Sequence, residues 1–209
     1  MFDHHVDPRA ILCVTFTNKA AKEMRTRIAK KLGVSDGGTN PFRTPSLPMI
    51  GTFHAIASFF LRMFIDRLGY DKDFIIYDSD DILQVVKECM KELSIDPKET
   101  SPRSIQGAIS RAKNGGLSAE MFSLTVGSFF DSLVLDTYRL YEKKLRQANA
   151  LDFDDLLLLF RATLDHADVR DYFHARFQYF LVDEYQDTNT LQYEIIKILA
   201  SKTHNLCVV

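Results

Sequence analysis

Tyr179-Phe180-Leu181-Val182-Asp183-Glu184-Tyr185-Gln186-Asp187-Thr188 is the stretch on which the fold turns. Its first four residues form an apolar run that suits a buried strand and is too short for a helix. Asp183 and Glu184 follow without a break. In an open parallel sheet, ligands gather beyond the carboxyl ends of the strands. Two adjacent carboxylates there can divide two jobs. One holds Mg²⁺, which takes oxygen ligands and keeps several waters. The other orients and deprotonates the water that attacks a phosphate. This is the pattern of a Walker B strand. A strand ending in a solvated acidic turn begins the same way, so the surrounding chain has to decide.

Working outward, Ala10 to Phe16 reads as a strand, since Ile11, Leu12, Cys13 and Val14 are continuously apolar, as in a strand covered on both faces. Thr17 or Asn18 caps a helix that runs to Leu32 and stops at Gly33. Ala21, Met24, Ile28 and Leu32 form its apolar stripe. Lys19, Lys22, Arg25, Arg27, Lys30 and Lys31 face a single acid, Glu23, making this the most basic stretch. Such a face is either simply solvated or, with the free amides of the helix start, able to hold a backbone phosphate. Ser35 to Pro48 is a loop by composition. Met49-Ile50 opens a short strand, and Gly51-Thr52-Phe53-His54 turns into a helix capped by Thr52. A lone histidine at a helix start, as His54 is, is more often a satisfied structural residue than a functional one.

From Ala55 to Ala150 helical periodicity takes over. The spacing predicts helices over 55–68, from Ser79 or Asp80 with Ile82, Val86, Met90 and Leu93 inside, from Pro102 to Asn114, after Ser118, and over 129–147 with Leu133, Tyr138, Tyr141 and Leu145 inside. In Leu151-Asp152-Phe153-Asp154-Asp155, Asp152 is a cap and the other acids suit a first helical turn better than a metal site. Leu191 to Ala200 is a helix, and Leu206 starts another strand.

The composition is that of an ordinary globular chain: 209 residues, 46% hydrophobic, 26% charged, net charge −2. Any nucleic-acid binding must therefore come from a local patch. Cys13, Cys89 and Cys207 have no paired spacing, which argues against a disulfide framework and a zinc site and for a reduced compartment. No apolar run is long enough to span a membrane, and the expected location is the cytoplasm.

Three strings resemble one family. Asp183-Glu184-Tyr185-Gln186-Asp187-Thr188-Asn189 with Gln192 is similar to the second motif of superfamily 1A DNA helicases, the UvrD, Rep and PcrA group. Val14-Thr15-Phe16-Thr17-Asn18-Lys19-Ala20-Ala21-Lys22-Glu23-Met24 resembles motif Ia, and Gly51-Thr52-Phe53-His54 resembles motif Ib. The segment from Asp152 to Leu157 is similar to the stretch upstream of the Walker B strand. The resemblance implies an α/β fold: a partial RecA-like parallel sheet of the P-loop NTPase type, with an inserted all-helical subdomain. The divisions it implies are residues 1–51 and 151–209 for motor domain 1A, and 52–150 for subdomain 1B. It implies an ATP-dependent helicase that moves 3′ to 5′ on single-stranded DNA and unwinds duplex, in repair or replication restart. Asp183 would hold Mg²⁺, Glu184 would be the catalytic base, and Gln186 would sense the γ-phosphate of ATP. Thr15, Phe16, Thr17, Asn18 and Lys19, with Thr52, Phe53 and His54, would contact DNA. The expected partners are DNA and repair proteins, with the chain itself a monomer.

No GxxxxGK[S/T] string occurs in these residues, and such a loop supplies the amides and lysine of a phosphate cradle. The resemblance puts that loop just before Met1. The expectation is therefore a piece of a longer helicase that is inactive by itself. The competing readings are a helicase-like subunit of a helicase–nuclease complex, a non-catalytic protein-interaction module, and a nucleotide hydrolase of another kind.

Overall fold

The computed structural model describes residues 6–35, 42, 44 and 46–209. The expected loop over 35–48 lies largely outside them. In chain order the elements are β1 (Ile11–Thr15), α1 (Asn18–Leu32), β2 (Met49–Thr52), α2 (Phe53–Phe64), β3 (Ile75–Ile76), α3 (Ser79–Glu92), α4 (Pro102–Asn114) and α5 (Ala119–Phe122). They continue with α6 (Phe129–Gln147), β4 (Ala150–Leu151), α7 (Phe153–Thr163), α8 (Ala167–Arg176), β5 (Tyr179–Val182), α9 (Thr190–Ala200) and β6 (Leu206–Val208). They form two compact units, Met1–Phe59 with Leu164–Val209, and Phe60–Thr163.

The first unit is built on a parallel sheet in the order β2-β1-β5-β6. β1 is central, pairing Leu12 with Met49 on one side and with Phe180 on the other. All five of its residues are buried, as its unbroken apolar run requires. On one face, Ala21, Met24 and Ile28 of α1 cover Ile11, Cys13 and Ile50. The Phe173 ring stacks on Phe177 with centroids 6.2 Å apart, and Phe177 meets Phe180 at a tilt, 6.4 Å away. β5 departs from the fully buried strand expected of it: Phe180 and Val182 are buried, but Tyr179 and Leu181 are 39% and 38% exposed. Leu181 pairs with Cys13, yet the cluster that α1 builds around Cys13 does not extend to it.

The second unit is a helical bundle around Val86, Cys89, Met90, Ile105, Ile109, Val134, Tyr138, Tyr141 and Leu145. It also contains a two-residue parallel ladder, β3 with β4, which the helical periodicity of this region hides. α3 is capped by Asp78, not by Ser79 or Asp80, in a reciprocal box with Asp81. Leu93 is its C-cap and is 38% exposed, while Cys89 takes the buried position. The unit runs from inside α2 through α7, a different span from 52–150. α7 belongs to it because a lysine of α4 grips the start of that helix.

Candidate nucleotide and nucleic-acid site

Three parallel strands of the sheet unit end in the three strings singled out by sequence. β1 leads into Phe16-Thr17-Asn18, β2 into Phe53-His54, and β5 into Asp183-Glu184. Parallel pairing in register, Thr15 with Thr52 and Val14 with Val182, brings these turns to one carboxyl edge. The acidic turn is pinned from both sides. The Asp183 amide donates to the Val14 carbonyl at 3.0 Å, and the Tyr185 amide donates to the Val209 carbonyl at 2.9 Å. Between them Glu184 adopts φ 53°, ψ 43°, the left-handed region. That conformation costs a non-glycine residue about 1 kcal/mol and persists only where the surroundings impose it. The Gln186 side-chain amide donates to Glu184 Oε2. Asp183 is half-buried, and Glu184 and Gln186 are exposed. The Gln192 of the string caps α9: its Oε1 accepts from the Asn189 amide, while Asn189 Oδ1 accepts from the Gln192 amide at 2.8 Å.

Among the described residues no group of three or more His, Cys, Asp and Glu side chains is set to hold a metal. That does not tell against Mg²⁺, which is usually held by one or two carboxylates, with waters and phosphate oxygens completing the shell. Asp183 with Glu184 supplies that donor chemistry.

The turns after β1 and β2 divide into builders and exposed groups. Thr15 is fully buried and its hydroxyl donates to the Thr17 carbonyl at 3.1 Å. Thr52 is buried and its Oγ1 accepts from the Ala55 amide at 3.2 Å. Phe53 is buried, and its ring meets Phe16 edge-on at 5.7 Å. Thr17 caps α1 through the Ala20 amide at 3.1 Å. Thr17, Asn18 and Lys19 are exposed, and Phe16 and His54 are half-buried. The buried three thus shape the turns that display the others.

A second polar cluster lies in the helical unit. Lys113 of α4 is fully buried, and its Nζ donates to Asp152 Oδ2 at 2.5 Å and Asp155 Oδ1 at 2.6 Å. Asp152 and Asp155 also cap each other's backbone amides, and the Tyr141 hydroxyl donates to Asp152 at 2.7 Å. The ammonium lies 4.9 Å from the Tyr141 ring centre. Burial works against the Lys113 charge, but Asp155 and Asp152 outweigh it and hold its pKa above the ordinary lysine value. Burial likewise opposes the Asp152 carboxylate, yet Lys113 and Tyr141 keep it below the usual range. Asp155 is pushed up to about 7, chiefly by burial and then by the charge of Asp152, against the pull of Lys113. Nδ2 of Asn114 donates to Asp154 Oδ1 at 2.9 Å. Asp152 and Asp155 therefore do act as caps, and Lys113 is the partner that sequence alone did not reveal. Its signal was weak: one cation, distant in sequence from three acids. Cys13 and Cys89 are buried, which pushes their thiols up to about 12 and about 11. No described helix is long and apolar enough to cross a membrane.

The family profile described as "UvrD/REP helicase N-terminal domain" matches residues 1–209. The chain is 44% identical over 210 residues to the ATP-dependent DNA helicase PcrA of Bacillus subtilis, covering 100% of this chain and 27% of that protein. It is 38% identical over 205 residues to the PcrA proteins of Staphylococcus epidermidis and Staphylococcus aureus, covering 98% of this chain and 27% of each of them. The chain thus spans about a quarter of the length of these relatives.

Proposed function

This chain belongs to the UvrD/REP helicase N-terminal domain family, and on that premise we propose that it forms the nucleotide-facing and part of the DNA-facing surface of an ATP-driven DNA helicase. The sheet unit is the first part of the motor, 1A, and the helical unit is the inserted 1B. The motor moves 3′ to 5′ along single-stranded DNA, separates duplex, and serves repair or replication restart. The observation that carries the proposal is the shared edge: an Asp-Glu turn on β5 beside two turns on β1 and β2 that present hydroxyl, amide and cationic groups.

At that edge Asp183 is the residue to hold Mg²⁺, which when bound neutralises charge on the phosphate oxygens. Glu184 orients the attacking water and takes its proton. Its pinned backbone fixes where the carboxylate starts from, so little reorganisation is left for the reaction. Gln186, already in contact with Glu184, is placed to feel the γ-phosphate and the base together. On the DNA side, Thr17, Asn18 and the first free amides of α1 take a backbone phosphate, with Lys19 beside them and Phe16 and His54 against the strand.

The test is DNA-stimulated ATP hydrolysis by the full-length protein that carries this sequence, compared with its Glu184→Gln variant. We expect strong stimulation by oligo-dT and a loss of at least about 100-fold in the variant, the scale of a missing general base. Stimulation that survives the substitution, or no stimulation by a folded protein, would sink the reading. The 209-residue chain alone, with no phosphate-loop string, is expected to show no Mg²⁺-dependent turnover above background.

A further inference from the structure

The helical unit carries a cavity of about 580 Å³ at the junction of α3 and α4, within the range of ligand sites. Met90, Ile95, Pro97 and Pro102 give it apolar walls. Met90 is almost fully buried, and Ile95 packs against the core of the bundle. The walls are fixed by local geometry. Ser94 takes φ 56°, so that the Ile95 amide reaches back to the Met90 carbonyl at 2.9 Å and ends α3. The carboxylate of Asp96 accepts from the Lys98 amide at 2.8 Å, and its carbonyl accepts from the Thr100 amide at 3.0 Å. Pro102 opens α4 at its first turn. A pocket held this way loses little freedom when something enters it.

Two cations and one acid line the cavity, a net positive rim. Glu88 and Glu92 of α3 pair with Lys144 of α6. Lys87 and Lys91 line the cavity one helical turn apart and make no ion pair among the described residues. Asp96 is already committed to its own turn. An apolar hole beside two uncommitted ammonium groups fits an occupant with apolar side chains flanked by carboxylates. A sugar–phosphate strand has no apolar group to fill the hole.

We propose that this cavity is a docking socket for a short acidic peptide segment of a partner protein, with its apolar side chains seated against Met90, Ile95 and the prolines and its carboxylates on Lys87 and Lys91. The socket is independent of the nucleotide site and of the reading given to it. The test uses the 209-residue chain with labelled methionine and isoleucine methyl groups. The probe is a synthetic peptide with a central Leu-Phe pair flanked on both sides by Asp and Glu. Saturable shifts of the Met90 and Ile95 methyl signals are expected. They should vanish when the Leu-Phe pair becomes Ser-Ser or when the acids become Lys. The doubly charge-reversed Lys87→Glu/Lys91→Glu variant, altered only at exposed positions, should bind at least about fivefold more weakly, as expected for two lost rim ion pairs. Absence of shifts at these methyls, unchanged affinity in the double variant, or equal shifts with oligo-dT would each overturn the proposal.

Discussion

Lys113 is where a single side chain matters most to the helical unit. Its substitution by Met leaves Asp152 and Asp155 buried without their cation. The expected cost is about 3–5 kcal/mol, that of breaking a buried pair from one side. It should appear as a lower urea midpoint in the methyl signals of Val86 and Val134, which lie in the same core. A loss below about 1 kcal/mol would mean that the cluster is not the clamp described. Asp155 adds a pH signature. The groups facing it are Lys113 and Asp152, with Tyr141 and Tyr138 of α6 and Tyr70 nearby. Its folded value of about 7 lies above the ordinary carboxylate value, so between roughly pH 4 and pH 7 the folded state holds more of the proton than the unfolded chain. Stability of the helical unit should therefore fall as pH rises through that window. The Asp155→Asn variant should lose most of that slope. Sequence made Asp152 legible as a cap because it stands directly before a helical pattern. Lys113 was not legible, since nothing in a linear string says which of many lysines the fold will bury.

The elements test differently. Gly33 ends α1 at φ 66°, with no atom within 4 Å of where a Cβ would stand. Gly33→Ala thus isolates the backbone term, and a loss of about 1 kcal/mol is expected. The urea midpoint reported by the Val14 methyl groups would measure it, and an unchanged midpoint would refute the assigned cap. Helices were readable wherever a strong terminus met a clear period: Thr17 to Gly33 and Pro102 to Gly115. Reading failed where signals were crowded or short. Asp78, Ser79, Asp80 and Asp81 are all good caps, and only the reciprocal box selects Asp78. The β3–β4 ladder spans two residues in each strand, too few for an alternation to show. For β5, an unbroken apolar run implied two covered faces, but coverage depends on helices packed from elsewhere in the chain.

Across the whole molecule, with its net charge of −2, any DNA affinity has to depend on where the cations sit. If the turn after β1 holds a phosphate, affinity of the full-length protein for oligo-dT should fall with rising salt, and Lys19→Ala should flatten the log–log slope by about 0.7, one single-strand phosphate contact. Fluorescence anisotropy at several salt concentrations would decide it, and an identical slope in the variant would exclude Lys19 from the contact. At this scale the sequence disclosed a sheet pattern interrupted by helices, because short continuous apolar runs give way to a 3.6-residue period. It did not disclose where the units divide: one boundary falls inside α2, where helical periodicity runs through it, and the other at the end of α7, past the helix start that the cap Asp152 marks. The divided sheet also bears on how the molecule reaches its native state. Leu12 must find Phe180 across the entire helical unit, whereas the contacts among α3, α4 and α6 are made within that unit. Closing so long a loop is entropically slow while the intervening chain is disordered, and faster once that chain has collapsed into a bundle that shortens the path. During synthesis β1 and β2 emerge long before β5 exists to complete their sheet. Every element of the helical unit precedes β5, so that unit can fold before this sheet is complete, while the apolar strand β1 still lacks one neighbour.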